Sequence, residues 1–215
     1  MELKGKRIVF LGDSITEGFG VTSIEMLYWK QIAEKTGAHC FGYGISGTRI
    51  APQYPLESDD TFFGSRVTQM IPDADVIVVF GGTNDFGHGN AALGTITDRT
   101  NDTFYGAYFC LLTQISERYP DAQIVVTTPL HRESEEDVGY NEGGVRRCGP
   151  LSVYVHAIRE VAEFFGVAVV DLFRNCMIQP RVPALKERYA PDGLHPNDAG
   201  HTLIAKCMLS VLEKL

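Results

Sequence analysis

Five short apolar runs, each followed by a turn or a helix-like stretch, are the feature that most constrains the fold of this chain. The runs lie at about 7–12, 38–43, 76–80, 124–128 and 167–170. The first and third are almost free of polar residues, which is typical of strands buried on both faces of a parallel sheet. Strands that alternate with helices in this way predict a doubly wound α/β domain.

Helix-like spacing of apolar residues fills the intervals between these runs. The predicted helices span about 24–35, 65–71, 102–118 and 151–165, and a last helix begins at 197 or 198. Two stretches, 86–100 and 131–150, are expected to be irregular, lid-like excursions, the second a solvated surface loop. With 215 residues, the chain is expected to form a single domain over 1–215.

Composition excludes several classes of protein. The net charge of −8 argues against a nucleic-acid partner, which would require a basic face. The apolar runs are all too short to span a membrane, and the N-terminus has no signal-peptide pattern. The five cysteines are odd in number and form no C-x-x-C pair, so we expect buried free thiols and a cytoplasmic location.

Polar residues with catalytic chemistry stand where the predicted strands end. Ser14 follows the first strand, Gly47 and Asn84 follow the second and third, and Asp192 and His195 precede the last helix. Ligands of open α/β sheets bind at the carboxyl ends of the strands. Ser14 is therefore either a nucleophile or simply the cap of a short helix.

A nucleotide site has weak support. The stretch Gly42–Gly47 contains G-x-G-x-x-G, but Pro52 and Pro55 follow it and no helix pattern begins there. No Gly-Lys-Ser/Thr phosphate loop occurs. We predict no nucleotide and no other cofactor.

Metal binding has equally weak support. His88, His131, His156 and His201 are scattered, and no H-E-x-x-H motif occurs. Asp192 and His195 could ligate a metal in principle. We predict no metal, and we expect His201 to lie on the surface of the last helix.

Nucleophilic acyl transfer accounts for the remaining pattern. It requires a serine, a base that takes the serine proton, a carboxylate that orients the base, and donors aimed at the developing oxyanion. Ser14, His195 and Asp192 are of these types and stand in a known triad order, although without a G-x-S-x-G elbow. In a sheet ordered 2-1-3, the Gly47 N–H and the Asn84 amide would flank Ser14.

Four motifs together resemble the GDSL, or SGNH, hydrolase family. They are Gly12-Asp13-Ser14-Ile15, Gly44-Ile45-Ser46-Gly47, Gly82-Thr83-Asn84-Asp85 and Asp192-Gly193-Leu194-His195-Pro196. Each motif alone is common, but all four occur in the family's order over residues 12–196. One departure is Gly42, which stands where the family usually has asparagine.

The resemblance implies a three-layer, flavodoxin-like fold with a five-stranded parallel sheet in the order 2-1-3-4-5. It implies Ser14 as nucleophile, His195 as general base and Asp192 as the group that orients His195. It also implies that the N–H groups of Ser14 and Gly47 and the side-chain amide of Asn84 form the oxyanion hole. Asp13 is expected to be a structural hydrogen-bonding group.

The substrate is less constrained than the chemistry. Relatives in the resembled family deacetylate carbohydrates or act as lysophospholipases, thioesterases or arylesterases. The two excursions are polar, which favours a short acyl group on a sugar-like alcohol. Their polar side chains include Asn90, Thr95, Thr97, Arg132, Glu133 and Arg146. A non-catalytic carbohydrate-binding domain and an acyltransferase are the alternatives.

Overall fold

The protein is described here by a computed structural model that covers residues 2–55, 60–140, 142, 144–145 and 147–215. Its centre is a sheet of five parallel strands in the order β2-β1-β3-β4-β5. The strands are β1 (Arg7–Gly12), β2 (His39–Gly44), β3 (Val76–Phe80), β4 (Gln123–Thr127) and β5 (Ala168–Val170). The predicted α/β class, strand positions and strand order are confirmed.

Helices lie between and after the strands. They are α1 (Ser14–Glu17), α2 (Tyr28–Thr36), α3 (Phe63–Arg66), α4 (Thr83–His88), α5 (Phe104–Arg118), α6 (Leu151–Phe165), α7 (Leu172–Asn175), α8 (Pro183–Tyr189) and α9 (Asp198–Leu212). Short 3₁₀ turns occupy Ile24–Met26 and Val67–Gln69. The α9 helix begins as predicted, because the Asn197 side chain accepts from Gly200 N and caps it.

Two hydrophobic cores, one on each face of the sheet, explain why the strands read as continuous apolar runs. In β1, Val9 and Leu11 point into a core shared with α5 and α6. The alternate residues Ile8 and Phe10 point into a second core shared with α2 and α9. Side chains alternate between the faces of a strand, so a sheet covered on both sides must be apolar at every position.

Several local expectations are wrong. Residues 24–35 do not form one helix, because Leu27 has an extended backbone (φ −57°, ψ 134°) and separates the 3₁₀ turn from α2. The excursion expected at 86–100 begins later, at Gly89, because 86–88 belong to α4.

The 131–150 segment is not a simple solvated loop. Arg132 and Glu135 are each only 6% exposed. Arg132 donates to Thr83 O at 3.2 Å, and its guanidinium lies over the Phe86 ring. These two contacts explain why the Arg132 side chain is buried, although a charged side chain in a polar loop is expected to lie in solvent. Arg146 lies outside the described residues.

His201 lies in the core instead of on the surface. Its side chain is fully buried, and its Nδ1 accepts from Tyr28 N at 3.1 Å. Burial lowers the pKa of His201 to about 4, so the imidazole is neutral at physiological pH. The five cysteines are unpaired, but only Cys176 is fully buried and Cys148 is exposed.

Candidate active site

The turn that follows β1 presents Ser14 at the carboxyl edge of the sheet. Asp13 caps α1 by accepting from Ile15 N at 3.0 Å, as expected for a structural role. Gly12 must be glycine, because a Cβ there would lie 1.9 Å from Thr16 Oγ1. Ser14 is the first residue of α1, which has four residues, and it is only 6% exposed.

Ser14, His195 and Asp192 form one chain of hydrogen bonds, although 178 residues or more separate Ser14 from the other two. The Ser14 Oγ lies 3.1 Å from His195 Nε2. The opposite ring nitrogen, Nδ1, lies 2.7 Å from Asp192 Oδ2. The structure thus brings together the three residues that the sequence predicts as nucleophile, base and orienting carboxylate.

Asp192 both shapes the loop and orients the imidazole. Its Oδ1 accepts from Leu194 N at 2.8 Å and from His195 N at 2.7 Å. Partial burial opposes ionisation of Asp192, but these bonds and the His195 ring hold its pKa below the usual value. An ionised carboxylate can only accept. When the imidazole of His195 is neutral, its hydrogen therefore resides on Nδ1, and Nε2 can accept from the Ser14 hydroxyl.

Gly47 and Asn84 follow β2 and β3, the two strands that flank β1. Asn84 lies in α4, is 6% exposed and donates through Nδ2 to Thr48 O at 2.9 Å. This bond joins the two turns and leaves the second amide hydrogen of Asn84 for a ligand. Gly47 has φ +75°, a conformation that favours glycine. The oxyanion roles of both residues stay a prediction.

A buried polar cluster lies beneath these turns, and sequence reasoning missed it. Arg66, 2% exposed, donates to Tyr43 O at 2.8 Å and to Gly12 O and Thr48 Oγ1 at 3.0 Å. Asp85 accepts from the backbone N–H groups of residues 50 and 51 at 3.0 and 2.9 Å. Because each of these bonds joins distant turns, the cluster fixes the loops around Ser14. The position of Asp85 directly after Asn84 could have indicated a role near the site. Nothing in the sequence around Arg66 indicates that it is buried there.

Asp13 is buried with one oxygen unsatisfied. Its Oδ2 has no hydrogen-bond partner among the described residues. Burial raises the pKa of Asp13 from an ordinary 3.8 to about 7, although the Ile15 N–H and the Arg66 charge oppose this shift. The folded protein therefore holds a proton on Asp13 at pH values where the unfolded chain has lost it.

We predict a pH-dependent stabilisation by Asp13→Asn. Stability contributed by a carboxyl with a raised pKa falls as the pH rises from about 4 to about 7, because only the unfolded state then ionises. Asparagine caps the helix equally well and does not ionise. The variant should match the wild type in urea unfolding near pH 4 and exceed it by about 1–4 kcal/mol at pH 8. A difference that does not change with pH would contradict the shifted carboxyl.

Gly42 lies against an indole ring. A Cβ at this position would lie 2.6 Å from ring atoms of Trp29. Trp29 Nε1 donates to Thr16 O at 3.0 Å, which ties the ring to the end of α1. In this chain, therefore, Trp29 fills the space that an asparagine side chain at position 42 would need.

The described residues contain no group of three or more histidine, cysteine, aspartate or glutamate side chains placed to hold a metal ion. Within those same residues, none of the helices has the length and apolarity needed to cross a membrane.

Comparisons with known proteins show the family and agree with the fold. Residues 10–203 match the model of the GDSL-like lipase/acylhydrolase family. A structure from Lactobacillus plantarum is 32% identical, with a TM-score of 0.82 and coverage of 98% of both chains. The acetyl xylan esterase AlAXEase is 26% identical, with a TM-score of 0.64 and coverage of 95% of this chain and 98% of that one. A possible lipase from Chitinophaga pinensis DSM 2588 is 20% identical, with a TM-score of 0.69 and coverage of 97% and 98%. No curated protein matches the chain significantly.

Proposed function

From the premise that this chain belongs to the GDSL-like lipase/acylhydrolase family, we propose that it is a serine carboxylic ester hydrolase that forms an acyl-serine intermediate. The observation that carries the proposal is the hydrogen-bonded chain from Ser14 through His195 to Asp192. A binding domain on the same fold has no need for an imidazole held in the tautomer that accepts a serine proton.

The proposed mechanism follows from the roles of these groups. His195 Nε2 takes the proton of Ser14 as Oγ attacks the ester carbonyl, and the Asp192 carboxylate stabilises the resulting imidazolium. The N–H groups of Ser14 and Gly47 and the amide of Asn84 would donate to the oxyanion. His195 then protonates the leaving alcohol, and a water molecule activated by the same base hydrolyses the acyl-serine.

A short acyl group on a polar alcohol is supported by the polar composition of the 89–100 and 131–150 segments. The 26% identity with an acetyl xylan esterase also supports an acetyl group on a carbohydrate. We propose a small, polar, acylated alcohol as substrate.

A chain-length series tests the substrate proposal. On p-nitrophenyl esters, we expect kcat/KM to be highest for acetate and about tenfold or more lower for octanoate, because a site suited to short acyl groups would leave the six additional methylenes of octanoate in solvent. Steady-state rates at matched concentrations below micelle formation provide the measurement. A preference for acyl chains of eight carbons or more would instead support a lysophospholipase or thioesterase. The absence of a nucleic-acid or membrane partner and the cytoplasmic location stay predictions.

A further inference from the structure

An aromatic side chain lies directly on the imidazole of His195 and is exposed. The ring centroids of Phe19 and His195 are 4.3 Å apart, with an angle of 49° between the ring planes. Phe19 is nevertheless 57% exposed. Isolated exposed aromatic side chains are common, so the informative observation is the position of this ring on His195 and not its exposure.

The loop that carries Phe19 is held in place on both sides. Phe19 N donates to Ser14 O at 2.9 Å. Gly20, with φ +98°, lies so close to the catalytic loop that a Cβ would be 2.7 Å from Pro196 O. Thr22 donates through N and Oγ1 to the Asp198 carboxylate at 2.9 and 2.6 Å. These contacts fix the ring beside His195.

The chemistry of the reaction identifies which part of a substrate would meet this ring. His195 Nε2 must reach the oxygen of the leaving alcohol in order to protonate it. In the proposed mechanism, the carbonyl oxygen points toward the Gly47 and Asn84 turns. In that mechanism, a group attached to the leaving oxygen would lie next to the imidazole against which Phe19 packs.

We infer that Phe19 is a specificity-determining residue that binds the leaving alcohol by packing against one face of a pyranose ring. The C–H groups on that face of a sugar are apolar and carry partial positive charge, which matches the negative face of an aromatic ring. The hydroxyl groups of the sugar would remain in contact with solvent. This inference rests on the proposed function and extends it to the alcohol part of the substrate.

Two acetate esters that share an acyl group but differ in alcohol test the inference. Phe19→Ala should lower kcat/KM for an acetylated methyl pyranoside about tenfold more than it lowers kcat/KM for ethyl acetate. Phe19→Tyr should restore the activity on the sugar ester. Phe164→Ala serves as the matched control, because Phe164 is also 57% exposed but lies in α6 against Phe109 and Phe165.

Each other outcome has a defined meaning. An equal loss on both esters, with a shifted pH–rate profile, would show that Phe19 only positions His195 and would overturn the inference. Unchanged rates on both esters, or a wild type that hydrolyses ethyl acetate but not the sugar ester, would also overturn it. A wild type that hydrolyses no ester at all would refute the proposed function itself, and with it this extension.

Discussion

Replacement of Ser14 by alanine should reduce ester hydrolysis on the order of a million-fold, as loss of the nucleophile does in serine hydrolases of similar design. The variant keeps the Asp13 cap and the buried cluster, so it should fold normally. It loses only the Oγ that lies 3.1 Å from His195 Nε2. The residual rate would come from binding and from the oxyanion donors. Hydrolysis of p-nitrophenyl acetate measures the effect.

A fluorophosphonate probe separates an enzyme from a binding domain. We expect the wild type to gain one adduct that maps to Ser14 and the variant to gain none. Ser210→Ala is the matched control, because Ser210 is an exposed serine in α9 that donates to the carbonyl of Cys207 at 2.7 Å. Full activity in a properly folded Ser14→Ala protein would exclude the proposed mechanism.

Replacement of Asn84 by alanine should lower kcat by about a hundred- to a thousand-fold, or about 3–4 kcal/mol, with little change in KM. The amide of Asn84 has one hydrogen committed to Thr48 O and one available for the oxyanion. Loss of an interaction that forms only in the transition state lowers kcat and leaves substrate affinity unchanged. Steady-state kinetics with p-nitrophenyl acetate provides both constants.

The Asn84 variant also loses its bond to Thr48 O, so a second measurement must separate oxyanion binding from loop structure. A boronic acid that forms a tetrahedral adduct with Ser14 should bind more weakly by about the factor lost in kcat, because it resembles the transition state. Urea unfolding reports the structural effect of the lost bond separately. Unchanged boronate affinity together with a large loss of stability would assign Asn84 a structural role only.

Local sequence determined where the strands of the sheet lie. A strand that is covered on both faces must be apolar at successive positions, and Val76–Phe80 has this pattern. Local sequence also determined where α6 ends, since Gly166 takes a left-handed backbone there. The four motifs, read as a family resemblance, identified Ser14, Gly47, Asn84, Asp192 and His195 as candidates before any geometry was known. Short helices such as α4 and α7 escaped prediction, because one or two turns of helix carry too little periodicity.

Tertiary structure alone decided everything that depends on contacts between distant segments. Arg66, Arg132 and His201 are buried because backbone groups and rings from elsewhere in the chain surround them, and none of these partners is visible in neighbouring residues. The same holds for Phe19, whose place on His195 results from the anchoring of its loop to Pro196 and Asp198. A sequence pattern records the periodicity of one element, whereas the burial and partners of a side chain depend on which elements the fold brings together.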